Sequence, residues 1–430
     1  MLPAKLMYNN KISSAYARNF TSVIDAQNTS EYSVGQTCIL NLPTMNNQFL
    51  SGADSVLSLK LRLQAPVASA HCNLNKSGIA GAIQRLRIFH GSNLLMDLDN
   101  YGALVSLFNS YQLARDDVEG KHSVLAGTDQ GHGRDLGVIA TTDTDFEFAI
   151  PLLSILSLTD NYVPMFALTN APLRLEIQFV SSINQFVSSN VVVTDAPTSG
   201  KTFNDVKFIA NYVEVSDAGM AIIAESLQGR PLEWVCQSFA NYVFNTNLPN
   251  AEKQVSMPVP AKFNSLKALY FITRLTANIA GQTQTPSDDM PKFNLKEYSI
   301  RIGSKVIPST KPNTTPQFLA EMERALGSVG NRVSPHNYTY AMITTNDAIL
   351  EAGNPGANSV SSSFAVGIET ESYSSASMGS TYQGLNTSTD DIFYQPVYSA
   401  NATAPDVRID CWASYDQLIT IENGQASVQF

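Results

Sequence analysis

Between Ile83 and Leu113 the pattern of apolar and polar positions changes period twice. Gln84 to His90 (QRLRIFH) alternates with a period of two, Gly91-Ser92 interrupts it, and Asn93 to Leu98 resumes an extended pattern. After an Asp-Asn break, apolar residues return at helical spacing from Tyr101. That order predicts a strand, a tight turn, a second strand and a short helix. The same order recurs at Glu297 to Leu326, where a strand ending Arg301-Ile302 meets Gly303-Ser304. A short strand Lys305 to Ile307, a Pro-rich break and a helix from about Thr315 follow. Gly91 and Gly303 lie 212 positions apart in a chain of 430 residues, so the pattern reads as two copies of one unit.

The flanks extend the repeat. Leu57 to Leu63 (LSLKLRL) precedes Leu269 to Leu275 (LYFITRL) by the same 212 positions, and Thr37 to Pro43 matches Gln254 to Pro260 at an offset of 217. Pro172 to Phe179 (PLRLEIQF) resembles Pro405 to Trp412 (PDVRIDCW) at 233, and Asn211 to Asp217 resembles Gln417 to Asn423 at 206. Order is kept while the offset drifts, as expected when loops gain and lose residues around a conserved strand order.

Further strands are expected at Phe146 to Leu152, Val163 to Leu168, Pro172 to Val180, Val206 to Val215 and Ser363 to Glu369. The stretches Leu113 to Asp145, Ser181 to Thr202, Ala277 to Pro291, Asn346 to Ser361 and Ser372 to Ala404 read as polar loops. Ala218 to Leu227 has helical periodicity and stops before Gly229-Arg230-Pro231, a boundary between two units. Many short strands, three helices and frequent turn residues give two antiparallel sandwiches in tandem.

Composition agrees with a folded two-domain chain, at 44% hydrophobic and only 15% charged residues. A net charge of −10 argues against a surface built mainly to neutralise phosphates. Met1 to Ile24 departs from this: it carries Lys5, Lys11 and Arg18 and no acid before Asp25. It reads either as a solvated terminus or as an arm that touches an anionic surface or a neighbouring subunit. No apolar run approaches the roughly 18 residues needed to cross a bilayer, and MLPAKLMYNNK has no signal-peptide pattern. Cys38, Cys72, Cys236 and Cys411 have no paired spacing and are expected to be reduced, buried thiols.

Catalytic chemistry finds little support. His71, His90, His122, His132 and His336 form no zinc-ligand spacing. Gly131-His132-Gly133-Arg134-Asp135 is the stretch most like an enzyme loop, but no nucleophile accompanies it. His90-Gly91-Ser92 lacks the elbow pattern of a catalytic serine, and the second copy keeps Gly303-Ser304 without a histidine, which fits a turn needing positive φ. Thr142-Asp143-Thr144-Asp145 offers carboxylates for calcium without the loop spacing that holds it. The expected catalytic, cofactor-binding and metal-binding sets are therefore all empty.

The residues Arg87 to Tyr101 and Arg301 to Ile307 carry a resemblance, together with Val163-Pro164 before Pro172 to Ile177 and the ending Tyr415 to Gly424. On these the chain resembles the double jelly-roll major capsid proteins of double-stranded DNA viruses, of the polinton-like, adintovirus and virophage type. The resemblance implies an all-β fold of two tandem eight-stranded jelly-roll sandwiches with a few short helices in connecting loops. Residues 1–24 would be an N-terminal arm, 25–217 the first jelly roll, 218–231 an inter-domain helix and linker, and 232–430 the second jelly roll. It further implies a structural, non-enzymatic subunit of the virion. Such a subunit forms a homotrimeric, pseudo-hexagonal capsomer, tiles an icosahedral shell with neighbouring capsomers, and meets penton and minor capsid proteins. The arm would reach an internal membrane or the genome, and no small-molecule substrate is implied. The competing expectation is a tandem β-sandwich carbohydrate-binding protein, which would expose aromatic platforms or paired carboxylates. Trp234 and Trp412 instead sit in strand-like runs beside cysteines, where packing is expected.

Overall fold

The structure is a computed structural model that describes residues 17–65, 70–159, 161–189, 193, 197, 198, 200–227, 229–280, 287–327, 336–346, 361–371 and 384–429. The first half runs β1 (Ala17–Asp25), β2 (Glu31–Tyr32), β3 (Thr37–Leu42), β4 (Gln48–Leu63), β5 (Ala70–Leu74), β6 (Ile83–His90) and β7 (Asn93–Asp99). It continues through α1 (Tyr101–Gln112), α2 (Arg115–Glu119), α3 (Lys121–Ala126), β8 (Asp135–Ile139), β9 (Thr144–Pro151), β10 (Leu173–Phe179), β11 (Val187–Ser189) and β12 (Phe203–Val215). A linking helix, α4 (Asp217–Leu227), leads into the second half: β13 (Leu232–Asn247), β14 (Lys253–Gln254), β15 (Met257–Val259), β16 (Leu266–Leu275), α5 (Thr276–Ile279), β17 (Leu295–Ile302) and β18 (Lys305–Ile307). The chain closes with α6 (Thr315–Ala325), α7 (Tyr340–Thr344), β19 (Val366–Glu369), β20 (Ile392–Tyr398), β21 (Asp406–Glu422) and β22 (Gln425–Gln429).

Each half places eight strand positions in two antiparallel sheets, in one order. The first sheet of the first half is β1-β12-β4-β9, with β2 sharing an edge of β12; in the second half it is β13-β21-β16-β19. The facing sheets are β3-β10-β6-β7 and β14-β20-β17-β18, with β15 joining β14 along β20. In both halves the late strand inserts beside the earliest one, which is the jelly-roll order. A small sheet, β11-β5-β8, is added to the first half.

Alternation produces these layers. Leu57, Leu59, Leu61 and Leu63 on β4, and Leu173, Leu175 and Ile177 on β10, all face inward and are buried, with polar residues between them turned out. Stacked rings tie the two sheets together in each half. Phe203 of β12 lies 4.1 Å from Phe179 of β10, and Phe271 of β16 lies 3.9 Å from Tyr394 of β20.

The repeat holds with one correction. Leu57 to Leu63 and Leu269 to Leu275 fall on β4 and β16, and Thr37 to Pro43 and Gln254 to Pro260 fall on equivalent edge strands. Pro405 to Trp412, however, is not the partner of Pro172 to Phe179. It is the front of the 17-residue β21, whose rear part, Gln417 onward, matches the end of β12. The true counterpart of β10 is β20, which pairs with β17 as β10 pairs with β6. Its alternation is masked because Pro396, Val397 and Tyr398 are buried in succession.

Three other expectations are adjusted. Ala17 to Ile24, assigned to a basic arm, pair along β12, and Arg18 is held 2.6 Å from Glu214; residues 1–16 lie outside the described residues. Val163 to Leu168 is a bridge to Leu50 and a short 3₁₀ turn instead of a strand, because Pro164 has no N–H to continue a ladder. The loop Leu113 to Asp145 contains α2, α3 and β8, elements too short to show periodicity.

Candidate functional site

Helix α1 is where the two halves meet. Its buried Tyr101, Leu104 and Leu107 recur at helical spacing, and the Tyr101 hydroxyl accepts from Leu153 N of the first jelly roll at 2.7 Å. Gly102 lets it sit against the 3₁₀ turn Gly78–Ala82, since a Cβ there would stand 2.7 Å from Gly81 Cα. The other side of α1 enters the second jelly roll. Phe108 lies 5.5 Å from Phe239 and 5.9 Å from Tyr270, and the Tyr111 hydroxyl donates to Ser363 O at 2.8 Å. Burial pushes the Tyr111 hydroxyl far above the usual tyrosine range, so it stays a neutral donor.

Beneath the helix lies a buried polar cluster. Lys76, 3% exposed, donates to Ser362 O and, at 3.0 Å, to Ser363 Oγ of the other half. Asp288 accepts from Ser77 N at 3.0 Å, and Asp289 accepts from Ser362 N at 2.7 Å. Desolvation lowers the Lys76 pKa, and the charges of Asp288 and Asp289 oppose that shift. The seam continues at its other end: Gln417 Nε2 donates to Leu95 O at 2.6 Å, Trp234 Nε1 to Thr159 Oγ1 at 2.9 Å, and Asn93 Nδ2 to Ala426 O at 2.8 Å. A cavity of about 210 Å³ opens beside Phe108, with Lys267, Glu369 and Glu371 in its wall. There Lys267 is held 3.0 Å from Glu371, and burial, then the Glu371 charge, raises the Glu369 pKa.

The candidates from sequence occupy structural positions. His132 Nδ1 is 2.9 Å from Gly133 O and 3.7 Å from Asp129 Oδ2 within its own turn, and Gly131 O accepts from Ser361 N of the second half at 2.8 Å. Asp145 is engaged by Arg62 at 2.6 and 2.8 Å, and Asp143 accepts from Thr198 N at 3.1 Å, which occupies the carboxylates offered for calcium. Among the described residues, no group of three His, Cys, Asp or Glu is placed to hold a metal. Gly91 and Gly303 have φ of 60° and 55°, as the turn reading requires. All four cysteines are buried and none is in a disulfide, and burial raises Cys38 to about 11 and Cys72 to about 12. Trp234 and Trp412 are buried, so neither forms an exposed aromatic platform. Among the described residues no helix is long and apolar enough to cross a membrane.

Lys76, Asp288 and Asp289 were not singled out in the sequence. A signal did exist: Ser77 and Asp288 are 211 positions apart, nearly the repeat offset, so the same loop of each copy meets at the seam.

Comparison with solved structures places this architecture. The chain is similar to the capsid of PBCV-1 virus (TM-score 0.64, 11% identity, covering 99% of this chain and 100% of that one). It is also similar to a chain of the Sputnik virophage (0.64, 11%, 100% and 92%) and to the Faustovirus major capsid protein (0.59, 10%, 97% and 92%). At such identity the likeness is one of fold, and the fold is the double jelly roll. No family model and no curated protein sequence matches the chain.

Proposed function

We propose that this chain is the major capsid protein of a double-stranded DNA virus, a non-enzymatic structural subunit of the virion. The observation that carries this reading is the tandem of two jelly rolls in one strand order, locked into a single block by α1 and the seam beneath it. Such a block offers two comparable walls per subunit, and three copies offer six, which suits a pseudo-hexagonal capsomer able to tile a closed shell. The fold is shared over nearly the whole length with capsids of PBCV-1, Sputnik and Faustovirus.

In this reading residues 25–217, extended back to Ala17 by β1, and 232–430 are the two domains, joined by 218–231. The capsomer is a homotrimer that meets neighbouring capsomers and penton and minor capsid proteins, while Lys5 and Lys11 of the N-terminal segment face an internal membrane or the genome. Light scattering on purified protein, followed by negative-stain microscopy, tests it. A species near three times 46.7 kDa with hexagonal outlines supports the proposal. A monomer that persists at high concentration across several salts overturns it.

A further inference from the structure

The two halves share a strand order, yet the outer faces of their first sheets differ in what covers them. In the second half a row of neighbours crosses β13, β21, β16 and β19 through Phe239, Ser414, Ala268 and Glu369. Phe239, Ser414 and Ala268 are only 2%, 0% and 3% exposed. The first half covers them: Phe108 of α1 lies 5.5 Å from Phe239, and Leu153 and Leu158 line the same cavity. In the first half the matching row crosses β1, β12, β4 and β9 through Val23, Ile209, Val56 and Pro151. Val56 precedes Ala268 by the repeat offset of 212, which fixes the correspondence and sets Val23 in the place of Phe239. Both rows point away from the sandwich core, since the next residues along, Leu57 and Leu269, are the buried inward ones.

The first-half row is open. Val23 is 58% exposed, Pro151 is exposed, and Ile209 and Val56 between them are half-buried. They form an apolar band across four strands, edged by the polar row that begins with Asp25 and Lys207, as at a protein interface. The chain itself shows what such a face accepts. Across the seam the edge strand β7 lies against the edge strand β13, and α1, which follows β7, supplies Phe108. By the repeat, β18 and α6 are the counterparts of β7 and α1, and β1 is the counterpart of β13. Strand β18 is again a sheet edge, and its Val306, 212 positions after Leu94 of β7, is 48% exposed. A contact of β18 and α6 with the Val23 row of another copy is head-to-tail, the kind that closes into a ring. A two-fold contact of one Val23 row with another would leave both β18 edges open to solvent.

We propose that the Val23 row of one copy is the docking face for β18 and α6 of a second copy, arranged as β7 and α1 are on the Phe239 row within the chain. The proposal rests on the capsomer reading for closure at three copies, where seams within and between chains alternate around the ring.

Photocrosslinking of the full chain tests it, with p-benzoylphenylalanine in place of Val23. Mass is measured by light scattering before irradiation, and linked peptides are mapped by mass spectrometry afterwards. We expect covalent species of two and three chains, with links that fall within residues 305–325 of the neighbouring copy. In parallel, Val23→Glu is expected to weaken association at least about tenfold on dilution, because its carboxylate would lose water in the contact. Position 23 is exposed, and an unchanged circular dichroism spectrum reports an intact fold. A trimer whose links stay within one chain, reach the first half of a neighbour or do not form overturns the proposal while the capsomer reading stands. So does a trimer that Val23→Glu leaves as stable as before. A chain that is monomeric throughout overturns both.

Discussion

His90 Nδ1 accepts a hydrogen bond of 3.1 Å from the backbone N–H of Ala426, so an unprotonated ring nitrogen of the first jelly roll holds the last strand of the second. Asn93 completes the clasp by donating to Ala426 O, and Asn170 N and Nδ2 donate to Gly424 O and Asn423 O at 3.2 and 2.9 Å. His90 is 2% exposed, on the inward face of β6 with Leu86 and Ile88. The charged groups of the adjoining strands sit at positions of the opposite face or on the strand flank: Arg85 pairs with Asp97, Arg87 and Arg174 pair with Glu176, and Asp99 accepts from Gln84 Nε2. Strand β22 carries no titratable side chain.

Acid should therefore weaken this clasp. Burial holds the His90 pKa below its ordinary value of 6.5 in the folded chain. The folded state thus binds the proton less readily than the unfolded state, so the contribution is complete above pH 6.5 and falls away as pH drops through the lowered folded value. The protonated ring would also set an N–H donor against the Ala426 N–H. Thermal midpoints measured from pH 7.5 to 5 are expected to fall, and His90→Gln should flatten part of that slope while costing about 1–3 kcal/mol at pH 7.5. An unaltered slope in the variant would remove His90 as the cause.

Lys76 is expected to be the most sensitive charge of the seam. Lys76→Ala leaves Asp288 and Asp289 buried without their cation, at a cost of about 3–5 kcal/mol in urea unfolding. Combining Lys76→Met with Asp288→Asn and Asp289→Asn should recover most of that loss, because the remaining polar groups are neutral. If the single and triple variants are equally unstable, packing and not charge accounts for the effect.

Phe108→Ala removes the ring that α1 inserts between Phe239 and Tyr270, and should cost about 3 kcal/mol. Its effect should concentrate on coupling: calorimetry is expected to resolve the single transition toward two, one for each jelly roll. A uniform downward shift of one transition would show that the halves remain locked by the polar cluster alone.

Gly367 lies where α6 crosses β19, and a Cβ there would stand 2.7 Å from Met322 Sδ and 2.9 Å from Ala325 Cβ. Gly367→Val should force α6 outward and destabilise the second jelly roll by about 1–3 kcal/mol. Met322→Ala in the same chain should recover part of the loss by opening space, and denaturant midpoints of the three proteins check this.

The strand–turn–strand–helix at Ile83 to Leu113 was legible because every feature of it is local. Alternation marks β6, Gly91 marks the turn, and apolar spacing marks α1. Its repetition at β17, β18 and α6 disclosed the tandem for the same reason. Strand β20 escaped because burial of Pro396, Val397 and Tyr398 on successive positions reflects what packs on both of its faces.

Sequence alone thus determined the strand-rich class, the two-copy organisation and the positive-φ turns, all of which depend on residues within a few positions of one another. Only the tertiary structure decided which equivalents pair, that Arg18 is taken by Glu214, and that Lys76 meets Ser362, Ser363 and the neighbouring Asp288 and Asp289 charges at a buried seam. Those contacts join residues up to 287 positions apart. Their energy comes from desolvation and close packing between layers, which no local pattern records.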